Sequence, residues 1–220
     1  ADKNHQLHST GIHAPPRYFL CTPHCQQHEF TAPKYKDFPK FDVPVICDMS
    51  SDILSRKVNV KDFDLIYAGA QKESWSCRRS HRHRQEKAFL ATAREELPTM
   101  LKYSTFANND SLYNTPPVFA IYMVNKTLHW IKKQGGVNAI AKNNAAKAKL
   151  IYDVIDNSNG FYKGHAAPEA RSNMNITFNL ATPEMEKDFV AKGKAAGFVG
   201  IGGHRLVGGC RASAYNAVPL

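Results

Sequence analysis

No stretch of this chain is long and apolar enough to cross a membrane, which takes about 20 consecutive apolar residues in a helix. The first residues also lack the basic, apolar and small-residue order of a signal peptide, so a reducing, cytoplasmic compartment is expected. The five cysteines are odd in number and irregularly spaced, which argues against a disulfide framework. Cys21, His24, Cys25 and His28 offer ligand chemistry without the paired, regular spacing of a structural zinc site, and no metal is expected. Core material is not lacking. Of the 220 residues, 43% are hydrophobic and 22% charged, ordinary values for one large globular domain or two small ones.

The formal net charge of +10 would ordinarily suggest an anionic partner. Much of it is concentrated in Ser76–Lys87, whereas acids and bases are mixed elsewhere. The basic run Arg78–Lys87 is the one candidate for nucleic-acid binding through phosphates. It lacks interleaved aromatics, and nothing else in the chain forms a known nucleic-acid module, so no nucleic-acid partner is expected.

Short apolar runs at Val43–Cys47 and Leu65–Ala70 are bounded by polar turns, as in strands buried on both faces, and Ile53–Val60 reads as a connector. Ala91–Leu101 has a helical pattern stopped at Pro98. Thr115-Pro116-Pro117 opens a helix that runs to a break at Gly135-Gly136. A second helix is expected from Val137 to Ile155, with Ile140, Ala145, Leu150, Ile151 and Val154 on one stripe. Asn175–Leu180 alternates like a half-buried strand, and Pro183–Ala196 reads as a helix with Met185, Phe189 and Val190 inward. Phe198–Ile201 reads as a strand leading into Gly202-Gly203-His204-Arg205. Alternating strands and helices argue an α/β fold, with a boundary near residues 116–136.

Two of these strands end in useful chemistry. Val45-Ile46-Cys47 ends in Asp48, and Leu65–Ala70 is followed by Gln71 and Lys72. A lysine amine that forms a Schiff base and a carboxylate that keeps a pyridine nitrogen protonated are the two protein groups a pyridoxal-phosphate enzyme needs. The plainer alternative is two surface charges, because many α/β proteins carry Lys and Asp at strand ends.

Four ordered motifs carry a resemblance. They are Asp48-Met49-Ser50-Ser51, Ile66-Tyr67-Ala68-Gly69-Ala70-Gln71-Lys72, Asp110-Ser111-Leu112-Tyr113-Asn114-Thr115-Pro116-Pro117, and the glycine-rich stretch Gly203–Ala217. With these motifs the chain resembles the phosphoserine aminotransferases, fold-type I pyridoxal-phosphate enzymes of class V, over most of residues 43–72 and 91–220. The resemblance implies a mostly parallel cofactor-binding large domain, in part, over residues 1–117, and a linker helix with a smaller α/β domain over 118–220. It implies transamination between O-phosphoserine and 2-oxoglutarate in serine biosynthesis, with pyridoxal 5'-phosphate as cofactor. Lys72 would be the Schiff-base lysine, Asp48 the partner of the pyridine nitrogen, and Gln71 a cofactor-phosphate contact. Asn114 and Thr115 would reach the neighbouring subunit's site in a homodimer. Arg211 would bind the substrate α-carboxylate through its guanidinium fork, and His204 and Arg205 the substrate's phosphate or distal carboxylate. Related enzymes act instead on serine, alanine or glyoxylate, or remove sulfur from cysteine. The Gly203-His204-Arg205 motif favours a phosphorylated substrate.

The resemblance also implies absences. The family's large domain begins earlier, with a glycine-rich phosphate-binding turn, a stacking aromatic and basic substrate residues, and the family continues beyond Leu220 into a final helix. Residues 5–33 and 73–87 depart from the family although their flanks match. With suitable codons, one inserted base would account for residues 73–86, whose other frame would then read as an Asn-Leu-Gly-Pro-Ala-Gly turn followed by a Val-rich strand. With one choice of codons, His24–His28 read one base on would give Thr-Ala-Asn-Asn-Thr, near the family's phosphate-binding threonine. As written, the chain places a cluster of arginines where a buried strand belongs, a costly arrangement, and is expected to fold poorly and to be inactive.

Overall fold

Apolar runs of three or four residues are enough for strands when neighbouring strands share the burial. A computed structural model describes residues 19–21, 44–68, 94–168, 171–204 and 208–220, with Phe19–Cys21 and His204 described by backbone alone. Three strands, β1 (Phe19–Cys21), β2 (Val45–Asp48) and β3 (Leu65–Tyr67), form a parallel sheet in the order β1-β2-β3. The register pairs Ile46 with Leu65, Cys47 with Ile66 and Asp48 with Tyr67. Val45, Cys47 and Ile66 are buried with Met49, Phe63 and Ala68, while Ile53 and Val58 pack against that cluster. Asp64 fixes the sheet's lower edge. Its carboxylate accepts the Val45 N–H at 2.7 Å, and its own N–H donates to the Val45 carbonyl at 2.9 Å. The connector between β2 and β3 is a series of turns and a 3-10 turn at Val60–Asp62, as the sequence suggests. Strand β3 ends at Tyr67, short of the expected Ala70; Gly69 and Ala70 lie outside the described residues.

The helical pattern that begins at Ala91 and is stopped at Pro98 forms no helix within its described part, residues 94–97. Pro98 sits at φ −52° and ψ 143°, and its ring clashes with a helical conformation in the residue before it. A 3-10 turn at Thr99–Leu101 follows, and helix α1 comes later, at Tyr103–Ala107. Hydrogen bonds from Thr105 Oγ1 to the Thr99 carbonyl and from Lys102 Nζ to the Glu95 carbonyl, both 2.8 Å, close this loop on itself.

Helix α2 (Val118–Lys133) begins directly after Pro116-Pro117, and α3 (Gly136–Asp156) follows the Gly135 break, as the sequence predicts. The stripe on α3 needs correction. Ile140, Asn144, Lys147, Ala148 and Ile155 are buried, whereas Leu150 and Val154 are 60% and 59% exposed. Positions 140, 144, 147, 148, 151 and 155 lie on one face at 3.6 residues per turn. An apolar-only reading misses that face because two of its members are polar. On α2 only Val124 and Ile131 are buried, while Val118, Phe119, Ile121, Tyr122, Met123 and Leu128 are exposed.

The second sheet is antiparallel, with β4 (Lys163–Gly164), β5 (Asn175–Asn179), β6 (Gly202–His204) and β7 (Gly208–Ser213) in the order β4-β5-β7-β6. Helix α4 (Pro183–Ala195) packs on it with Met185, Phe189 and Val190 turned inward, as expected. The Thr182 hydroxyl caps α4 by accepting the Met185 N–H at 3.3 Å. Tyr162, Phe178 and Phe189 meet edge to face, with centroids 5.5–6.0 Å apart, beside Ala148, Ile155, Ile176 and Cys210. Strand β5 is more buried than its alternation suggests, because Asn175 and Thr177 are buried along with Ile176 and Phe178. The strand expected at Phe198–Ile201 is displaced to Gly202–His204. Gly197 and Gly200, at φ +91° and +75°, turn the chain there, leaving Val199 94% exposed. Strand β7 carries two glycines at its start and gave no strand signal in the sequence. Among the described residues, no helix is long and apolar enough to cross a membrane.

Candidate active site

Asp48 is the last residue of β2, at the carboxyl edge of the parallel sheet, where ligands of α/β proteins gather. It is half-buried. One carboxylate oxygen accepts the Ser50 N–H at 2.9 Å and the Ser50 hydroxyl at 2.5 Å, so the group is oriented by the residue two positions on. No cation among the described residues pairs with it. The following turn is rigid. Buried Asp52 takes the Arg56 Nε at 3.1 and 3.0 Å and the Ser55 hydroxyl at 2.7 Å.

Arg211 lies on β7, half-buried, opposite Thr177 of β5, and its N–H donates to the Ile201 carbonyl at 2.9 Å. His204 ends the neighbouring strand β6, in register with Gly208. The β6–β7 hairpin needs glycine at Gly203, where a Cβ would stand 2.0 Å from the Gly208 carbonyl oxygen. It needs glycine again at Gly209, which has φ +74° and where a Cβ would stand 2.8 Å from the Asn179 side-chain nitrogen.

Asp48 and Arg211 belong to different sheets, and a polar clamp ties the segments that follow them. Asn144 of α3, 1% exposed, donates from Nδ2 to the Ser55 carbonyl at 3.2 Å and to the Asn216 side-chain oxygen at 2.7 Å. Asn216 donates in turn to the Leu54 carbonyl at 3.5 Å. One turn along α3, Lys147 Nζ, on a side chain from a residue 5% exposed, donates to the carbonyls of Ala214, Tyr215 and Val218 at 3.3, 2.7 and 2.9 Å. The turn after Asp48 and the chain leaving Arg211 are therefore held by the same face of α3.

Asn114 and Thr115 sit in the exposed loop before α2, where Asn114 Nδ2 donates to the Thr115 carbonyl at 3.1 Å. No described hydrogen bond joins them to Asp48 or Arg211. Gln71, Lys72 and Arg205 lie outside the described residues, as do the basic run Arg78–Lys87 and His24, Cys25 and His28 of the cysteine–histidine cluster. Cys21 is described by backbone alone.

A family model described as aminotransferase class-V matches residues 35–219. The chain belongs to this family. Members similar to it include the phosphoserine aminotransferases of Lysinibacillus sphaericus, 57% identical over 188 residues, and of Bacillus subtilis, 51% identical over 187 residues. Each alignment covers 85% of this chain and 52% of the relative, so the chain spans about half the length of the curated relatives it matches. Among solved structures, the phosphoserine aminotransferase from Bacillus circulans subsp. alkalophilus aligns with a TM-score of 0.80 at 48% identity, over 92% of this chain and 55% of that one. A phosphoserine aminotransferase from Trichomonas vaginalis with bound pyridoxal phosphate aligns with a TM-score of 0.79 at 32% identity, over 92% and 56%.

Several residues around the candidate site carry no assigned role in the sequence. Ser50 had a usable signal, since Asp-x-Ser is the spacing at which a carboxylate can take both the backbone N–H and the hydroxyl two residues on. Asn144 and Lys147 had none, because nothing local in a helix marks an Asn or Lys as facing inward, and Asn216, in the turn after β7, had none because its partners Leu54 and Asn144 are far away in sequence.

Proposed function

We propose that the chain carries the lysine-bearing and carboxylate-binding part of a phosphoserine aminotransferase, which moves an amino group between O-phosphoserine and 2-oxoglutarate with pyridoxal 5'-phosphate. The observation that carries this reading is Asp48. A half-buried carboxylate at the end of a parallel strand, oriented by Ser50 and paired with no cation among the described residues, suits a protonated pyridine nitrogen. Relatives more than half identical to this chain bear the name of that activity.

When bound, the cofactor supplies an electron sink for charge that develops at the substrate Cα. The Lys72 amine would attach the cofactor and, once displaced by substrate, take the proton from that Cα. Gln71 would contact the cofactor phosphate. Arg211 would hold the substrate α-carboxylate with two parallel N–H donors, and His204 and Arg205 the phosphate or distal carboxylate. Asn114 and Thr115 are exposed and lie just before the exposed apolar side chains of α2, an arrangement that suits contact with a neighbouring subunit in a homodimer. The division into a cofactor-binding part to residue 117 and a linker helix with a small domain from 118, and a cytoplasmic location, belong to the same proposal.

The test is absorbance. Pyridoxal phosphate is added to the chain, and to a version in which residues 73–86 are exchanged for the Gly-Pro turn and Val-rich strand of the other reading frame. The exchanged version is expected to gain a band near the visible edge that Lys72→Ala removes and borohydride fixes onto Lys72. If neither version gives a Lys72-dependent band, the proposal fails.

A further inference from the structure

The β6–β7 hairpin has glycines at Gly203, Gly208 and Gly209, so side-chain packing cannot fix its position there. A carboxylate does so instead. Glu186, in the first turns of α4, is half-buried. Its Oε1 accepts the Asn179 side-chain amide at 2.6 Å and the Leu180 N–H at 3.3 Å, and its Oε2 accepts the Gly209 N–H at 3.0 Å. These donors come from the end of β5, the link to α4 and the start of β7. Gly209 and Arg211 lie two residues apart on β7. Just before Gly209, Gly208 is in register with His204. The same carboxylate thus sets where β7 begins relative to β5 and α4, two residues before the arginine.

We propose that Glu186 is a positioning residue for the substrate, acting through Gly209 to hold Arg211 where its guanidinium meets a carboxylate. The inference rests on the proposed role of Arg211 and adds a residue that never touches the ligand. Charge fits this role. An anion beside an anion-binding site would repel the ligand unless its charge were spent on donors, and three N–H groups face Glu186.

The test is a double-mutant cycle on the full chain with residues 73–86 exchanged as above and supplied with pyridoxal phosphate, reading its affinity for O-phosphoserine. R211A should weaken binding strongly. E186A should weaken it about tenfold, within what losing hydrogen bonds to a charged group costs. In the R211A background E186A should change nothing further, because its effect passes through the arginine. E186Q, which keeps the shape and one acceptor oxygen, should fall between, and it carries the same cycle if E186A does not fold. Equal losses from E186A with and without Arg211 would show a merely structural role and overturn the inference while leaving the role of Arg211 intact. Binding indifferent to R211A would overturn the role of Arg211, and the inference with it.

Discussion

Lys147→Met removes the grip of α3 on the chain beyond β7 while keeping most of the side chain's volume. The ammonium donates to three carbonyls, at 2.7, 2.9 and 3.3 Å. Two of these acceptors, on Ala214 and Tyr215, belong to buried or half-buried residues, whereas Val218 is exposed enough for water to replace the lost donor. Each carbonyl stranded without a partner costs about 1–3 kcal/mol, which gives a gross loss of about 2–6 kcal/mol. Methionine relieves the desolvation of a buried ammonium, and that offset brings the expected net loss to about 2–4 kcal/mol. For a chain of this size 1 kcal/mol moves the melting midpoint by about 2–4 °C, so the variant should melt roughly 5–15 °C lower. Urea unfolding followed by circular dichroism measures the loss directly. Stability within about 0.5 kcal/mol of the unaltered chain, or above it, would refute the reasoning by showing that desolvation cancels the three bonds.

Ser50→Ala removes the hydroxyl that orients Asp48 but leaves the backbone donor, so cofactor affinity should fall about threefold to tenfold while the melting midpoint barely moves; an equilibrium titration with pyridoxal phosphate checks this. The Glu186 carboxyl is held below its ordinary value of 4.5, first by the Asn179 amide, and Asp156 below 3.8, first by Arg171. Because both folded values are depressed, their contribution is present above those ordinary values and lost as pH falls through the folded ones. Acid unfolding should therefore begin below about pH 4.5 and be less steep in Glu186→Gln, as fluorescence melts across pH 2–6 would record. Burial pushes the Cys210 thiol up to about 11, so it should resist thiol reagents at pH 8 in the folded chain and react only after urea is added.

Much of this architecture could be read from local pattern. The Pro116-Pro117 start of α2, the Gly135 break and the capped start of α4 are decided within a few residues, and they fall where the sequence places them. The misreadings have one local and one tertiary cause. Phe198 and Val199 are apolar enough for a strand, but flanking glycines at positive φ turn them out to solvent. The inward face of α3 is hidden in the sequence because Asn144 and Lys147 satisfy distant carbonyls rather than neighbouring side chains. At the candidate site, Asp48 and its bond to Ser50 are local in sequence, whereas the tie between the turn after Asp48 and the chain leaving Arg211, through Asn144 and Asn216, emerges only when segments distant in sequence are brought together.

A lysine that binds main-chain oxygens is blind to the side chains those residues carry. As far as Lys147 is concerned, positions 214, 215 and 218 can drift freely in evolution, because any amino acid presents the same carbonyl. What cannot drift is the count. One residue inserted or deleted between Tyr215 and Val218 would move the last acceptor out of reach of a fixed ammonium. Selection at this latch therefore acts on spacing, and family members should differ there by substitution and not by length.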